Sequence, residues 1–190
     1  MQTYEDIWIT LDEKAVLAEM EAAPRQLGGL KEALAAFHQA RQAKAAFEVL
    51  TPQQSPLPSS QAEAGAVAVA ATLGPEVDRL ANLPWMNWIV KAGLCQLENY
   101  IAYRVSRLVR PKRLFIGEPI IPGGAAAPEL EARVVLDLLP GHQTGIRVGG
   151  KDLTPKSSLV FLYPLSYSQP SHELNPCASC QKDCALRRKA

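Results

Sequence analysis

The chain has 190 residues, 47% of them hydrophobic and 21% charged, and its 20 Lys and Arg against 19 Asp and Glu leave a formal net charge of +1. This is the balance of an ordinary globular protein, long enough for one domain with a real core, and it argues against disorder and against the basic footprint of a nucleic-acid binder. No apolar run reaches the roughly 18 residues a membrane span needs, and the acidic start Met1-Gln2-Thr3-Tyr4-Glu5-Asp6 lacks the features of a secretory signal, so a cytoplasmic protein with neither nucleic-acid nor membrane partners is expected.

In chain order, Glu5-Asp6-Ile7-Trp8-Ile9-Thr10 alternates weakly and predicts a short strand. The Thr10-x-x-Glu13 spacing of a capping box then predicts a helix to about Met20. Beyond the break at Pro24, Leu30, Leu34 and Phe37 recur at helical spacing and predict a helix to about Ala43, with His38 at its surface or edge. Ala46-Phe47-Glu48-Val49-Leu50 predicts a short strand, stopped by Thr51-Pro52. Residues 51–61, with three prolines among Gln and Ser, read as a surface connection.

The continuous apolar run Ala66-Val67-Ala68-Val69-Ala70-Ala71 suits a buried central strand, and Gly74-Pro75-Glu76 opens a helix that Asn82-Leu83-Pro84 closes. Residues 85–109 form the longest helical stretch, with Val90, Leu94, Leu97, Ile101, Val105 and Leu108 on one stripe. Glu98 lies four residues after Leu94 and three before Ile101, which sets its carboxylate against the apolar face and calls for a partner, either a ligand or a surface Lys or Arg.

Next come a strand over Leu114-Phe115-Ile116, a Pro/Gly-rich loop over residues 117–127, a helix over residues 128–139 with Leu130, Val134, Val135, Leu138 and Leu139 inward, a Gly-Gly turn and a strand over Leu159-Val160-Phe161-Leu162. The loop, with Pro122-Gly123-Gly124 at its centre, is a place where backbone can approach a ligand or simply turn. Five or six strands and four or five helices that do not strictly alternate imply an α+β fold, a mixed or antiparallel sheet covered by helices, in one domain over residues 1–170 with a Cys-rich tail over residues 171–190.

That tail is the sharpest chemical feature. Cys177, Cys180 and Cys184 stand at Cys-x2-Cys-x3-Cys spacing, close enough to converge on one iron–sulfur cluster or zinc, and Lys182, Arg187, Arg188 and Lys189 would favour the thiolates. Cys95 and His172 are the candidates for a fourth ligand; an unliganded terminus with reactive thiols is the alternative. There is no Gly-x-Ser-x-Gly elbow, no His-Glu-x-x-His and no Rossmann glycine triplet. Lys156-Ser157 follows Pro155 at the start of a strand and reads as turn chemistry or as ligand contact.

The order Ala71-Thr72-Leu73-Gly74-Pro75-Glu76-Val77, Leu97-Glu98, Pro122-Gly123-Gly124-Ala125, Pro128 with its helix, Gly145-Ile146-Arg147-Val148 and Thr154-Pro155-Lys156-Ser157-Ser158 resembles the reactivation domain of cobalamin-dependent methionine synthase, and especially its short free-standing relatives in corrinoid methyltransfer systems. The resemblance spans residues 66–165 and rests on the ordering of weak motifs. It implies an accessory role in reductive reactivation of a corrinoid methyltransferase, with cobalamin carried by a partner, and it makes Glu98, Pro122, Gly123, Gly124, Lys156 and Ser157 candidate ligand-binding residues. The family holds S-adenosylmethionine through an Arg-x-x-x-Gly-Tyr signature. Aligned on Gly123, the arginine position is Pro119 and the tyrosine position is Gly124, so binding of S-adenosylmethionine in the family manner is not expected.

Overall fold

A computed structural model describes residues 1–20, 28–150 and 152–168. The tail with Cys177, Cys180, Cys184 and His172 lies outside the described residues, as does the break at Pro24.

The fold is α+β. Five strands form one antiparallel sheet in the order β1-β2-β3-β7-β4, comprising β1 (Gln2–Tyr4), β2 (Lys44–Leu50), β3 (Ala66–Thr72), β7 (Ser158–Ser166) and β4 (Phe115–Ile116). A separate hairpin joins β5 (Arg147–Gly149) to β6 (Asp152–Thr154). The helices are α1 (Glu13–Leu17), α2 (Leu30–Ala40), the single turn α3 (Pro75–Asp78), the long α4 (Met86–Val109) and α5 (Ala132–Asp137).

Strand β3 is buried at all seven positions because both faces of the sheet are covered, which is why its sequence is continuously apolar and not alternating. Its side chains still divide by period two. Val67, Val69 and Ala71 join Phe47, Phe161, Tyr163 and Leu165 in the larger core, under Leu34 and Phe37 of α2 and Ile89, Leu97, Ile101 and Val105 of α4. Ala66, Ala68 and Ala70 face the other way and join Val160, Leu162 and Ile120 beneath Val135 and Leu136 of α5. A row of alanines leaves room for the short α5 to sit close to the strand.

Several expected elements move. Residues 5–10 are not a strand; Asp6 has φ +53, which breaks the extended backbone after β1, and the weak alternation reflects Ile7, Ile9 and Leu11 packing one by one into the core. The first helix is capped by Asp12, whose Oδ1 accepts from Ala15 N at 2.7 Å, and it ends at Leu17. Thr10 is instead tied by its backbone to Gln96 of α4, through bonds of 3.0 and 2.8 Å. Helix α2 stops at Ala40 because Arg41 is already extended on the way into β2. On α4 the deepest side chains are Met86, Ile89, Leu97, Ile101 and Val105, whereas Val90, Leu94 and Leu108 are only partly buried.

The expected helix over residues 128–139 shortens to α5, since Glu131 is extended, and Val134 is exposed while Leu136 takes its place inside. Residues 51–61 form turns as expected, but Leu57 is buried against the second core. Hairpin β5–β6 was hidden in what reads as a turn. Strand β7 runs past Leu162 through Pro164, a residue tolerated there because its carbonyl accepts from Gly117 N at 2.9 Å and no N–H is required toward that side.

Candidate functional site

Helix α4 passes beneath the sheet with one acid along its length, Glu98, near enough to Tyr163 of β7 for its charge to act on the phenol. Glu98 is half-buried, and burial raises its carboxyl above the ordinary value near 4.5. It forms neither an ion pair nor a hydrogen bond among the described residues, so the expected surface Lys or Arg partner is not found there. Its neighbour is Tyr163, 1% exposed, whose phenol is pushed well above its usual range first by burial and then by the charge of Glu98. The Tyr163 hydroxyl has no hydrogen-bond partner among the described residues. A carboxyl raised by burial, near a phenol whose hydroxyl lacks a partner, is the kind of arrangement found at functional sites more often than elsewhere.

The raised carboxyl has a consequence for stability. Between the unfolded and folded values the native state holds the extra proton, so stability falls as pH rises through that window and stays at its lower value above it. Glu98→Gln is expected to match the wild type at acid pH and to exceed it at neutral pH in urea unfolding followed from pH 4 to 8. Parallel profiles for the two proteins would show that the carboxylate is solvated in the fold.

The Gly-rich loop lies elsewhere. Ile120 bridges Leu162 and packs into the core beneath α5, so residues 121–127 leave β7 on the face opposite Glu98. Within the loop Gly123 N donates to Ala127 O at 3.1 Å, Gly124 N to Ile121 O at 3.0 Å and Ala127 N to Gly124 O at 3.0 Å, while Gln61 Nε2 reaches Ala126 O at 3.3 Å. Pro122 is half-exposed, and Gly123 is exposed with φ +73. The loop is a compact, self-bonded turn that presents the Gly123 backbone to solvent.

Lys156 and Ser157 sit just before β7, six and five residues ahead of Leu162, and their backbone is already engaged. Asp78, at the end of α3, accepts from Lys156 N at 2.6 Å and from Ser157 N at 3.0 Å, and the Ser157 hydroxyl donates to Gly74 O at 3.1 Å. Of this pair only the exposed Lys156 side chain is available to a ligand. Cys95 is half-buried on α4, with Asn99 Nδ2 3.7 Å from its Sγ. No three His, Cys, Asp or Glu side chains are grouped to hold a metal ion among the described residues.

Sequence reading missed two features here. Tyr163 carries no local signal, since it is one apolar position of a strand until α4 brings an acid to it. Gly145 to Lys151 also has a Gly-x-x-x-x-Gly-Lys spacing, but Asp152 follows where a hydroxyl residue would bind a cation, and residues 147–149 are strand β5 of a hairpin, not a loop that opens a helix.

Fold and site together define an α+β domain with a five-stranded antiparallel sheet, helices on both of its faces, and a half-buried Glu98 near the buried Tyr163 of β7. No family model matches the chain, and no curated protein matches it. Among the described residues no helix is long and apolar enough to cross a membrane.

Proposed function

We propose that this chain is an accessory protein of a corrinoid-dependent methyltransferase system, assisting the one-electron return of inactive cob(II)alamin to cob(I)alamin. The observation that carries the reading is the order of motifs across residues 66–165. They fall on one continuous unit, from β3 through α3, α4, β4 and the Pro122 loop to β7. The cobalamin is placed on a separate corrinoid-carrying protein or methyltransferase. Co-purification with such a protein and faster recovery of its cob(I)alamin state in the presence of a one-electron donor are the expected results; no partner and no change in recovery would sink the proposal.

The second reading rests on Cys177, Cys180 and Cys184 and makes the chain an iron–sulfur or zinc subunit. Three thiolates at this spacing suit either metal centre, with Cys95 or His172 as fourth ligand, and an iron–sulfur cluster would supply the electron. Truncation after Asn175 distinguishes the two. Loss of reactivation with partner binding retained favours electron transfer through the tail, and loss of neither removes the tail from the chemistry.

The loop makes its own prediction. With Pro119 and Gly124 in place of the arginine and tyrosine there is no guanidinium clamp and no aromatic lid, and a lost charge-assisted pair weakens binding by on the order of 1.5–3 kcal/mol, tenfold to more than a hundredfold. Isothermal titration is expected to show no S-adenosylmethionine binding at micromolar concentration. Micromolar affinity would mean that Arg113, Arg147 or Glu98 has taken over the site.

A further inference from the structure

Five cations, Arg104, Arg107, Arg110, Lys112 and Arg113, fall within ten positions, and no acid occurs from residue 99 to residue 117. For a chain of net charge +1 this is a strong local concentration. One or two cations here would serve the C-terminal dipole of α4; five exceed that need. All five side chains are exposed, on the last two turns of α4 and on the tight turn that follows it, so they crowd one end of the helix. The acid of α4, Glu98, is half-buried on the other side of the helix.

None of Arg104, Arg107, Lys112 and Arg113 forms an ion pair among the described residues. Two of the arginines are laid on aromatic rings. Arg104 lies 4.7 Å above the centre of Tyr4 and donates to its hydroxyl at 3.1 Å, and Arg107 lies 5.9 Å from the ring of Tyr103. A guanidinium held over a ring loses less entropy on binding and has further N–H groups to offer an anion.

We infer that this face is a docking surface for an acidic protein surface. The inference rests on the proposed function in one respect: it assigns the face to the corrinoid-carrying partner. Two observations favour a protein over other polyanions, and a third argues against the chain's own tail. The Tyr4 ring is already covered, by Arg104 and by Phe47 stacked 5.6 Å away, which removes a platform for bases. The patch has no large exposed hydrophobic among its described neighbours to enter a lipid surface, since Leu108 and Leu114 pack against the core. The charge of the chain's own tail is also wrong, because residues 169–190 carry four cations against two acids.

The full chain is assayed for binding to the purified corrinoid-carrying protein and, separately, to poly-L-glutamate, single-stranded RNA and phosphatidylserine vesicles, each over a salt series. The variants are R104E/R107E and K112E/R113E, the latter pair making no side-chain hydrogen bond, ion pair or ring contact among the described residues, and K14E/R133E is an equal charge change at exposed positions of α1 and α5. Both patch variants are expected to weaken poly-L-glutamate and the partner by about tenfold or more at low salt, with little effect from the control. If poly-L-glutamate behaves this way and the corrinoid protein does not bind at all, the docking face stands and the corrinoid reading falls. Equal loss in the control, no loss in K112E/R113E, or tighter binding to RNA or vesicles than to poly-L-glutamate overturns the inference.

Discussion

Gly65→Ala is expected to lower the stability of the protein by about 4 kcal/mol, the sum of roughly 1–3 kcal/mol of backbone strain and a similar cost of overpacking. Gly65 has φ +100, and a Cβ added there would come within 2.1 Å of Leu50 O and 3.1 Å of Thr51 C. Both atoms are backbone at the end of β2 and cannot swing aside. The same glycine accepts from Leu165 N at 2.9 Å and donates to Ala62 O at 3.0 Å, so it joins the start of β3 to the end of β7. Gly28→Ala is the control, with nothing within 4 Å and no left-handed backbone, and is expected to be near neutral. Gly123→Ala lies between them, since φ is +73 in open space, and only the strain of about 1 kcal/mol applies. Urea unfolding of the three variants checks the order. A Gly65→Ala protein as stable as Gly28→Ala would show that β2 and β3 can separate at this end without cost.

Asp78→Ala is expected to cost about 3 kcal/mol and to lower the melting temperature by roughly 10 °C, because two charge-assisted bonds to backbone N–H groups disappear together. Those bonds, to Lys156 and Ser157, hold the start of β7 against α3 across nearly eighty residues of sequence. With Ser157 buried, its N–H would lose its partner in a place water does not reach freely. Asp78→Asn keeps one carbonyl oxygen and is expected to fall between alanine and wild type. The measurement also bears on function, for if Lys156 contacts a ligand, Asp78→Ala weakens that ligand along with the fold, whereas Lys156→Ala weakens the ligand alone.

The contrast between these positions shows where sequence reading reaches and where it stops. Ala66 to Ala71 could be recognised as a buried strand because a strand covered on both faces has no polar side, and the α+β class followed from the order of such runs. The long helix was equally legible from its 3.6-residue period, down to the half-buried setting of Glu98. Residues 5–10 misled because alternation records burial at every second residue, and an irregular extended segment broken at Asp6 gives the same signal as a strand. The helix at residues 128–139 was overextended because apolar spacing alone does not register that Glu131 leaves the helical region.

By itself, then, the sequence determined the architecture in outline, the acid on the apolar side of α4, the cysteine spacing and the density of cations after Tyr103, since each is a property of neighbours along the chain. Only the tertiary structure decided that Glu98 comes near enough to Tyr163 for its charge to act on the phenol, that Asp78 occupies the backbone of Lys156 and Ser157, and that the Gly123 loop lies across the sheet from Glu98. The reason is physical. Which residues share a face of a strand is set by local period, but which helix covers that face, and which acid it brings, is set by packing between elements far apart in sequence, where the local pattern carries no record of the partner.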